Sequence, residues 1–434
     1  MMPVDAGADT DSGVPPDAGA SDAGPTDAGP TGQCTATTLV DLENKMRAAL
    51  ESTVTDHSFY LELRRPGVDG RTFTLSRNID GVVDANSTVQ SASTAKMITA
   101  SVILDVVARP QLYPGGGMVN GKPFTLDSLA RDFLPDGSGG TNWRTNTDAL
   151  PTTSRLYGVT LRQLLSFASG LELENALGSP SCLGVPAASS THAACVRSLV
   201  TVNVARNLNA SEPRTFFYSG AHLNVAALMA VNAAGLTSWA GLFKKYKELH
   251  GVFTGSVAPA PVAVAGPGAF YPFSDGSGSP SPAGMLRYRA GDYLAFLVRL
   301  QSGDLLPTAM LNEMLSDQTT AAGATIEYSP LSNDSPPEDW RYGLGLWNEC
   351  RAAVWSPSCV SHRFSSPGSF GSYPFIDFNR YGAESFPLIG FLARGGTDPG
   401  TAMKGILVYR SLANAASPDG KDLAQEWASN ICRP

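Results

Sequence analysis

The stretch Ser93-Thr94-Ala95-Lys96 sets a hydroxyl and an amine one helical turn apart, so both project from the same face. A serine hydroxyl becomes a nucleophile only when a base takes its proton. Lysine can be that base as a neutral amine, a form disfavoured at neutral pH by its ordinary pKa of about 10.4 unless burial or a second positive charge lowers it. At a helix start, the N–H of Ser93 also points outward and is a candidate oxyanion donor. Nucleophile, base and donor thus fall within four residues. Ser93–Lys96 is the sole S-x-x-K match in the chain, no more than chance supplies, and the rival serine-hydrolase elbow G-x-S-x-G does not occur.

Two further segments carry groups that suit the same chemistry. In "RTFFYSGAHLNVAALMAVN", Tyr218 stands at the entrance to a helix, where its phenol would lie near Lys96 and pass protons between nucleophile and leaving group. The competing reading is an aromatic staple against that helix. His222, four residues on, is the alternative base. In "HRFSSPGSFGSYPFIDF", Gly368 and Gly371 lie at the start of a strand, where a missing side chain lets a ligand approach the backbone. The N–H of Ser369 is a candidate second oxyanion donor, although a glycine-rich bend at a sheet edge would read the same way.

These groups need elements to position them. Apolar spacing predicts helices in "TLVDLENKMRAALES" and after Ser93, where Met97, Ile98, Val102, Ile103, Val106 and Val107 suit a largely buried helix. From about 110 to 290 the pattern stays helical in "SLARDFL", "TLRQLLSFASGL", "LNVAALMAVNAAG" and "LTSWAGLFKKYKEL", and "LRYRAGDYLAFLVRLQSG" and "PTAMLNEMLSD" add two more. "HSFYLELRR" and "RTFTLSRN" alternate as strands around the turn "PGVDG", a hairpin. Strand signal returns beyond 340 in "WRYGLGLWNEC", "SFGSYPFIDF" and "SFPLIGFLAR", before two closing helices, "GTAMKGILVYRSLANA" and "GKDLAQEWASNIC". A sheet built from both ends of the chain, with a helical insertion, accounts for this order. The expected domains are a tether over 1–33, a sheet-containing domain from 34–109 and 286–434, and a helical domain over 110–285.

The bulk numbers bound the function. With 434 residues, 43% of them hydrophobic, the chain can bury a sizeable core. A formal charge of −8 with no basic stripe argues against a nucleic-acid partner. Residues 1–33 repeat Asp-Ala-Gly and lack the apolar side chains that would offset chain entropy, so they read as an extended acidic tether. There is no apolar run of membrane-spanning length. The six cysteines form no C-x-x-C and the five histidines are scattered, so no metal is expected. Six cysteines allow fifteen pairings; proximity favours Cys182–Cys195 and Cys350–Cys359, leaving Cys34–Cys432 to join the ends of the folded region. An oxidising compartment follows, and with it an exported protein, periplasmic, cell-surface or extracellular, for which a lipoprotein or other membrane tether through the N-terminus would suit.

Together the segments around Ser93, Tyr218 and Gly368 resemble, in order and spacing, the serine β-lactamase and penicillin-binding superfamily, in the branch of class C β-lactamases, D-Ala-D-Ala carboxypeptidases, related esterases and nylon-oligomer hydrolases. The resemblance covers roughly residues 40–430 and includes "VTLRQLLSFASGL", "AGMLRYRAGDYLAFLVRLQSGDLL" and "YGLGLW", whose Trp347 is placed among the substrate contacts. It implies an α/β (α+β) fold, with an antiparallel sheet flanked by helices, an inserted all-helical domain and the cleft between them. It implies Ser93 as the acylated nucleophile, Lys96 as its base, Tyr218 as the second-motif tyrosine, and the N–H groups of Ser93 and Ser369 as the oxyanion hole, with no cofactor. Two departures bear on the substrate. Gly220 replaces the asparagine of Tyr-x-Asn, and Ser366-Pro367-Gly368 stands for Lys-Thr-Gly, without the cation that holds a substrate carboxylate. The following Gly-Ser-Phe-Gly-Ser is closer to the esterase pattern, with Ser372 in the glutamine position. The expected substrate is therefore a small ester, with small amides second. The rivals are a D-Ala-D-Ala carboxypeptidase or class C-like β-lactamase, and an inactive ligand-binding member of the fold.

Overall fold

The computed structural model describes residues 36–53, 57–66, 70–134, 158–171, 191–193, 195, 196, 199, 215–254, 282–284, 286–321, 324–331, 339–350, 363–378, 388–394 and 423–429. Along the chain, α1 (Ala36–Thr53) leads into the hairpin β1 (Phe59–Arg64) and β2 (Thr72–Arg77), then β3 (Thr88–Gln90) and α2 (Ala95–Ala108). The middle holds a small hairpin, β4 (Met118–Val119) with β5 (Lys122–Pro123), then α3 (Ala130–Phe133), α4 (Leu161–Leu165), β6 (Thr215–Phe217), α5 (Ala221–Ala233) and α6 (Trp239–His250). There follow β7 (Arg287–Arg289), α7 (Ala290–Gln301), α8 (Thr308–Leu315), α9 (Gln318–Ala321), β8 (Thr325–Tyr328), β9 (Arg341–Tyr342), β10 (Trp347–Asn348), β11 (Arg363–Ser365), β12 (Tyr373–Asp377), β13 (Leu388–Arg394) and α10 (Leu423–Ser429).

The central sheet runs β2-β1-β13-β12-β11-β10-β9, all antiparallel, so strands from the two ends meet where β1 pairs with β13. In β2, Phe73 and Leu75 point inward while Thr72, Thr74 and Ser76 face water, the two-residue period of a half-covered strand. The terminal helix α10 closes on that edge: Trp427 packs edge-on to Phe73 and gives its indole N–H to Glu43 of α1. The sheet from both ends is therefore as expected.

Helix α2 is apolar on every side and twelve of its fourteen residues are buried, as befits a helix enclosed by other elements. It packs against α5, which is equally buried and rich in alanine. Local signals end the helices cleanly. Thr160 and Gln163 form a reciprocal capping box on α4, and Ser238 caps α6, which stops at Gly251 in the left-handed conformation.

Three expectations need correction. The insertion is not all-helical, because it contains the β4–β5 hairpin and β6, which pairs in parallel with β8. "LRYRAG" does not begin a helix: Arg287–Arg289 pair with Thr88–Gln90 as β7 and β3, and the helix starts at Ala290. Gly368 and Gly371 form the turn between β11 and β12, ahead of the strand that begins at Tyr373. Cys195 and Cys350 are each disulfide-bonded. The expected partners Cys182 and Cys359 lie outside the described residues, as do Cys34, Cys432, the tether and the helix expected at 400–415.

Candidate active site

Ser93 sits in a tight turn, Ala92–Thr94, that runs directly into α2. Ala92 is held at φ +41°, a conformation unfavourable for a residue with a Cβ, and the surroundings fix it there. The Ser91 N–H donates to the Leu286 carbonyl at 2.8 Å, and the Leu286 N–H returns to Ser91 Oγ at 2.9 Å. The Thr94 hydroxyl donates to the Ser91 carbonyl at 2.7 Å, and the Tyr293 hydroxyl donates to the Thr94 carbonyl at 2.8 Å. The turn is clamped before any substrate arrives.

Lys96 is only 3% exposed. Its Nζ donates to Ser93 Oγ at 3.0 Å and to the Ala283 carbonyl at 2.9 Å, and lies 5.0 Å from the centre of the Tyr218 ring. Among the described residues it forms no ion pair with a carboxylate. An ammonium so placed is held by two oxygens and a π face, all of them neutral.

The Tyr218 ring is stacked on Trp347 at 5.1 Å with planes 20° apart, and meets Phe167 edge-on at 5.4 Å. It is not a staple on the helix that follows. Its approach to Lys96 is through the ring face rather than a direct phenol contact.

His222 is fully buried. Its Nε2 lies 2.9 Å from the Phe217 carbonyl, which can only accept, so the ring proton is there and Nδ1 accepts from the Ser169 hydroxyl at 2.7 Å. Burial pushes its pKa down to about 3, helped by the nearby Lys96 charge and opposed by the Phe217 carbonyl. With both nitrogens engaged, His222 is a structural bridge between the 166–171 turn and the strand end that carries Tyr218. The alternative base is thereby set aside.

The β11–β12 turn docks onto the same place. Ser366 donates its hydroxyl to the Ser93 carbonyl at 2.9 Å, and the Ser366 N–H bonds to Pro374 in the sheet. At Gly368 a Cβ would lie 2.6 Å from the Ser91 carbonyl oxygen and 2.8 Å from Thr94 Cγ2, so only glycine lets the turn approach. Gly371, at φ +90°, closes the turn by donating to the Gly368 carbonyl at 2.8 Å. Ser369 is half-buried in this turn beside the nucleophile loop, while Ser372 is wholly buried, with its hydroxyl unpartnered. Gly220 leaves no side chain at the start of α5, and its carbonyl accepts from the backbone and side-chain amides of Asn224 at 3.2 and 2.9 Å.

Residues 68–381, more than half of the chain, match the family model Beta-lactamase. The chain belongs to the β-lactamase family. Solved structures of similar fold include a Bacteroides dorei DSM 17855 protein described as a β-lactamase, 20% identical with a TM-score of 0.57, covering 91% of this chain and 98% of that one. A β-lactamase/D-alanine carboxypeptidase from Yersinia pestis is 14% identical with a TM-score of 0.57, covering 86% and 97%. A D-amino acid amidase from Ochrobactrum anthropi SV3 is 17% identical with a TM-score of 0.53, covering 87% and 100%. At these identities the likeness concerns the fold. No curated protein sequence matches.

The fold thus gathers Ser93, Lys96, Tyr218, Ser366 and Gly368 around one turn. Trp347, placed among the substrate contacts by the resemblance, packs against the same site. It is 2% exposed and stacks on the Tyr218 ring. Three participants escaped the sequence: the Ala283 carbonyl, Phe167 at φ +58°, and Arg363. Only the last had a visible signal, as a lone cation three residues before Ser366. Its Nε and Nη2 donate to buried Asp377 at 3.0 and 2.8 Å, and its guanidinium lies over Phe375.

Proposed function

We propose that this protein is an exported serine hydrolase that cleaves uncharged carboxylic esters, and small amides more slowly, through an acyl-enzyme on Ser93. The observation that carries the reading is the 3.0 Å contact between Ser93 Oγ and a buried Lys96. In the forward step Lys96, as the amine, takes the Ser93 proton while Oγ bonds to the carbonyl carbon. The carbonyl electrons move to oxygen, which faces the N–H of Ser93 and, in this reading, that of Ser369. Collapse expels the alkoxide, which leaves with the proton held by Lys96 and coupled to Tyr218. Water attacks the acyl carbon by the reverse route and Ser93 is restored. No cofactor takes part in this scheme.

The preference for esters over β-lactams and peptidoglycan stems rests on the third motif. Those substrates carry a carboxylate. Here the Ser366 hydroxyl is spent on the Ser93 carbonyl, and the cation that precedes it, Arg363, donates to Asp377. Losing a charged hydrogen bond weakens recognition by about 1.5–3 kcal/mol, roughly ten- to a hundredfold. Export is supported by the acidic tether and by the disulfides at Cys195 and Cys350. The test compares a p-nitrophenyl short-chain ester with a chromogenic cephalosporin, using wild type and Ser93→Ala. Ester turnover lost in the variant, with little cephalosporin cleavage, is expected. Cephalosporin turnover at an equal or higher rate would promote the β-lactamase reading in its place.

A further inference from the structure

Tyr218 is aimed by a residue from the other half of the chain. Its ring touches Lys96 Nζ at 5.0 Å and the Trp347 indole at 5.1 Å, and Phe167 and Tyr342 meet it edge-on at 5.4 and 6.1 Å. Trp347 lies on the β9–β10 hairpin, which also touches the catalytic helix. At its turn residue Gly345, φ +80°, a Cβ would stand 2.4 Å from Ala100 Cβ and 3.0 Å from the Lys96 carbonyl. The Gly345 N–H donates to the Leu165 carbonyl at 2.9 Å, fixing the turn against α4. Across the sheet Trp347 pairs with Ser365, whose neighbour Ser366 bonds to Ser93. One short hairpin therefore reaches the backbone of the base and the ring of its tyrosine within three residues.

We infer that Trp347 is a positioning residue, which acts through Tyr218 by holding its ring against Lys96. The inference rests on the Ser93 acyl-enzyme reading. The indole is suited to the task because it is large, flat and fixed by its own edge-on contacts with Phe216, Tyr342 and Trp340 at 5.8, 4.8 and 6.2 Å. A leucine in its place keeps the site apolar but presents no plane to stack on, so Tyr218 is free to tilt away from Lys96. Displacing a proton-relaying group by about an ångström costs on the order of a hundredfold in rate.

The test is a double-mutant cycle read by two signals, covalent labelling of Ser93 with an alkyl fluorophosphonate and turnover of a p-nitrophenyl ester across the pH range. Trp347→Leu is expected to lower kcat/KM by about ten- to a hundredfold while KM stays within about threefold, and to move the acid limb of the pH profile. Trp347→Phe, which keeps a ring to stack, is expected to restore most of the rate and the wild-type limb. In a Tyr218→Leu background, Trp347→Leu is expected to add less than about twofold, because the ring it holds is already gone. If Trp347→Leu does not fold by near-UV circular dichroism, Trp347→Met, close to leucine in volume but flexible enough to fill an irregular gap, carries the cycle. A full additional loss in the Tyr218→Leu background, or a raised KM with kcat retained, overturns the inference in favour of packing or substrate contact. Wild type labelled at Ser93 with Trp347→Leu unmoved overturns it alone, whereas no labelling of Ser93 in the wild type overturns the acyl-enzyme reading and this inference with it.

Discussion

Acidification should weaken this fold through His222, by an amount that can be worked out. The ring is buried among Phe167, Ser169 and the Phe217 carbonyl, and its pKa falls from 6.5 to about 3. Because the folded pKa lies below the unfolded one, the unfolded chain binds more protons between those values, and stability falls as pH falls. Well above pH 6.5 the imidazole is neutral in both states and contributes nothing. Between 6.5 and 3 the loss approaches about 1.4 kcal/mol per pH unit, and it levels off below 3. Between pH 7 and pH 5 this amounts to about 2 kcal/mol, enough to move a urea midpoint clearly. Carboxylates elsewhere also titrate, so the measurement is a difference: urea unfolding of wild type and His222→Gln at both pH values. Glutamine keeps a donor for the Phe217 carbonyl but cannot ionise. The variant is expected to be the less stable at pH 7 and to recover about 2 kcal/mol relative to wild type at pH 5. A wild-type-minus-variant difference that stays constant between the two pH values would refute the placement of a neutral, buried imidazole.

Three other perturbations follow from the contacts. Gly368→Ala puts a Cβ 2.6 Å from the Ser91 carbonyl, so the turn must back away from Ser93; a stability loss of about 1–3 kcal/mol, with kcat falling more than KM rises, is expected from urea unfolding and ester kinetics. Arg363→Ala strands the buried Asp377 carboxylate, one oxygen of which is already unpartnered, and should cost about 3–5 kcal/mol, most of it recovered when Asp377→Leu is added to Arg363→Met. Lys96→Met should abolish turnover yet leave the melting temperature unchanged or raised, since it removes a buried cation from an apolar helix.

Much of this site was legible because the chemistry is carried by side chains at fixed local spacing. Ser93 and Lys96 are one turn apart in any helix, and the apolar run after them announced the burial that the structure gives α2. The hairpin at Phe59–Arg77 and the strands beyond 340 carried the period of their elements and appear near their expected places. What stayed hidden depends on the backbone or on distant pairing. The carbonyl of Ala283 has no signature in sequence, yet it is one of the two oxygens that hold Lys96. The pairing of Arg287–Arg289 with Thr88–Gln90 overrode a helical pattern because two segments about 200 residues apart meet as strands. Trp347 entered only through the resemblance of "YGLGLW"; its 2% exposure and its stacking on Tyr218 are properties of packing that no local pattern records.

The burial of Lys96 explains why so many contacts converge on one turn. Taking an ammonium out of water costs several kcal/mol, and the one carboxylate of α2, Asp105, is engaged by Arg109, Tyr113 and His250 instead. A hydrogen bond from a charged donor returns about 1.5–3 kcal/mol, and a desolvated cation over an aromatic face about 2. The hydroxyl of Ser93, the carbonyl of Ala283 and the ring of Tyr218 are together comparable with the cost, and no one of them suffices. Each must therefore be held in place by something other than Lys96 itself. Ser93 is held by the clamped turn and by Ser366, and Tyr218 by Trp347 and Phe167. The segment with Ala283 is tied down by the Ser91–Leu286 bonds and by Gly284, where a Cβ would touch the Ala92 carbonyl at 3.4 Å. The same partners decide the chemistry, because all of them are neutral. In the Ser93 reading proposed above, the amine is flanked by a hydroxyl, a carbonyl and a ring, and among the described residues no carboxylate pairs with it in place of Ser93.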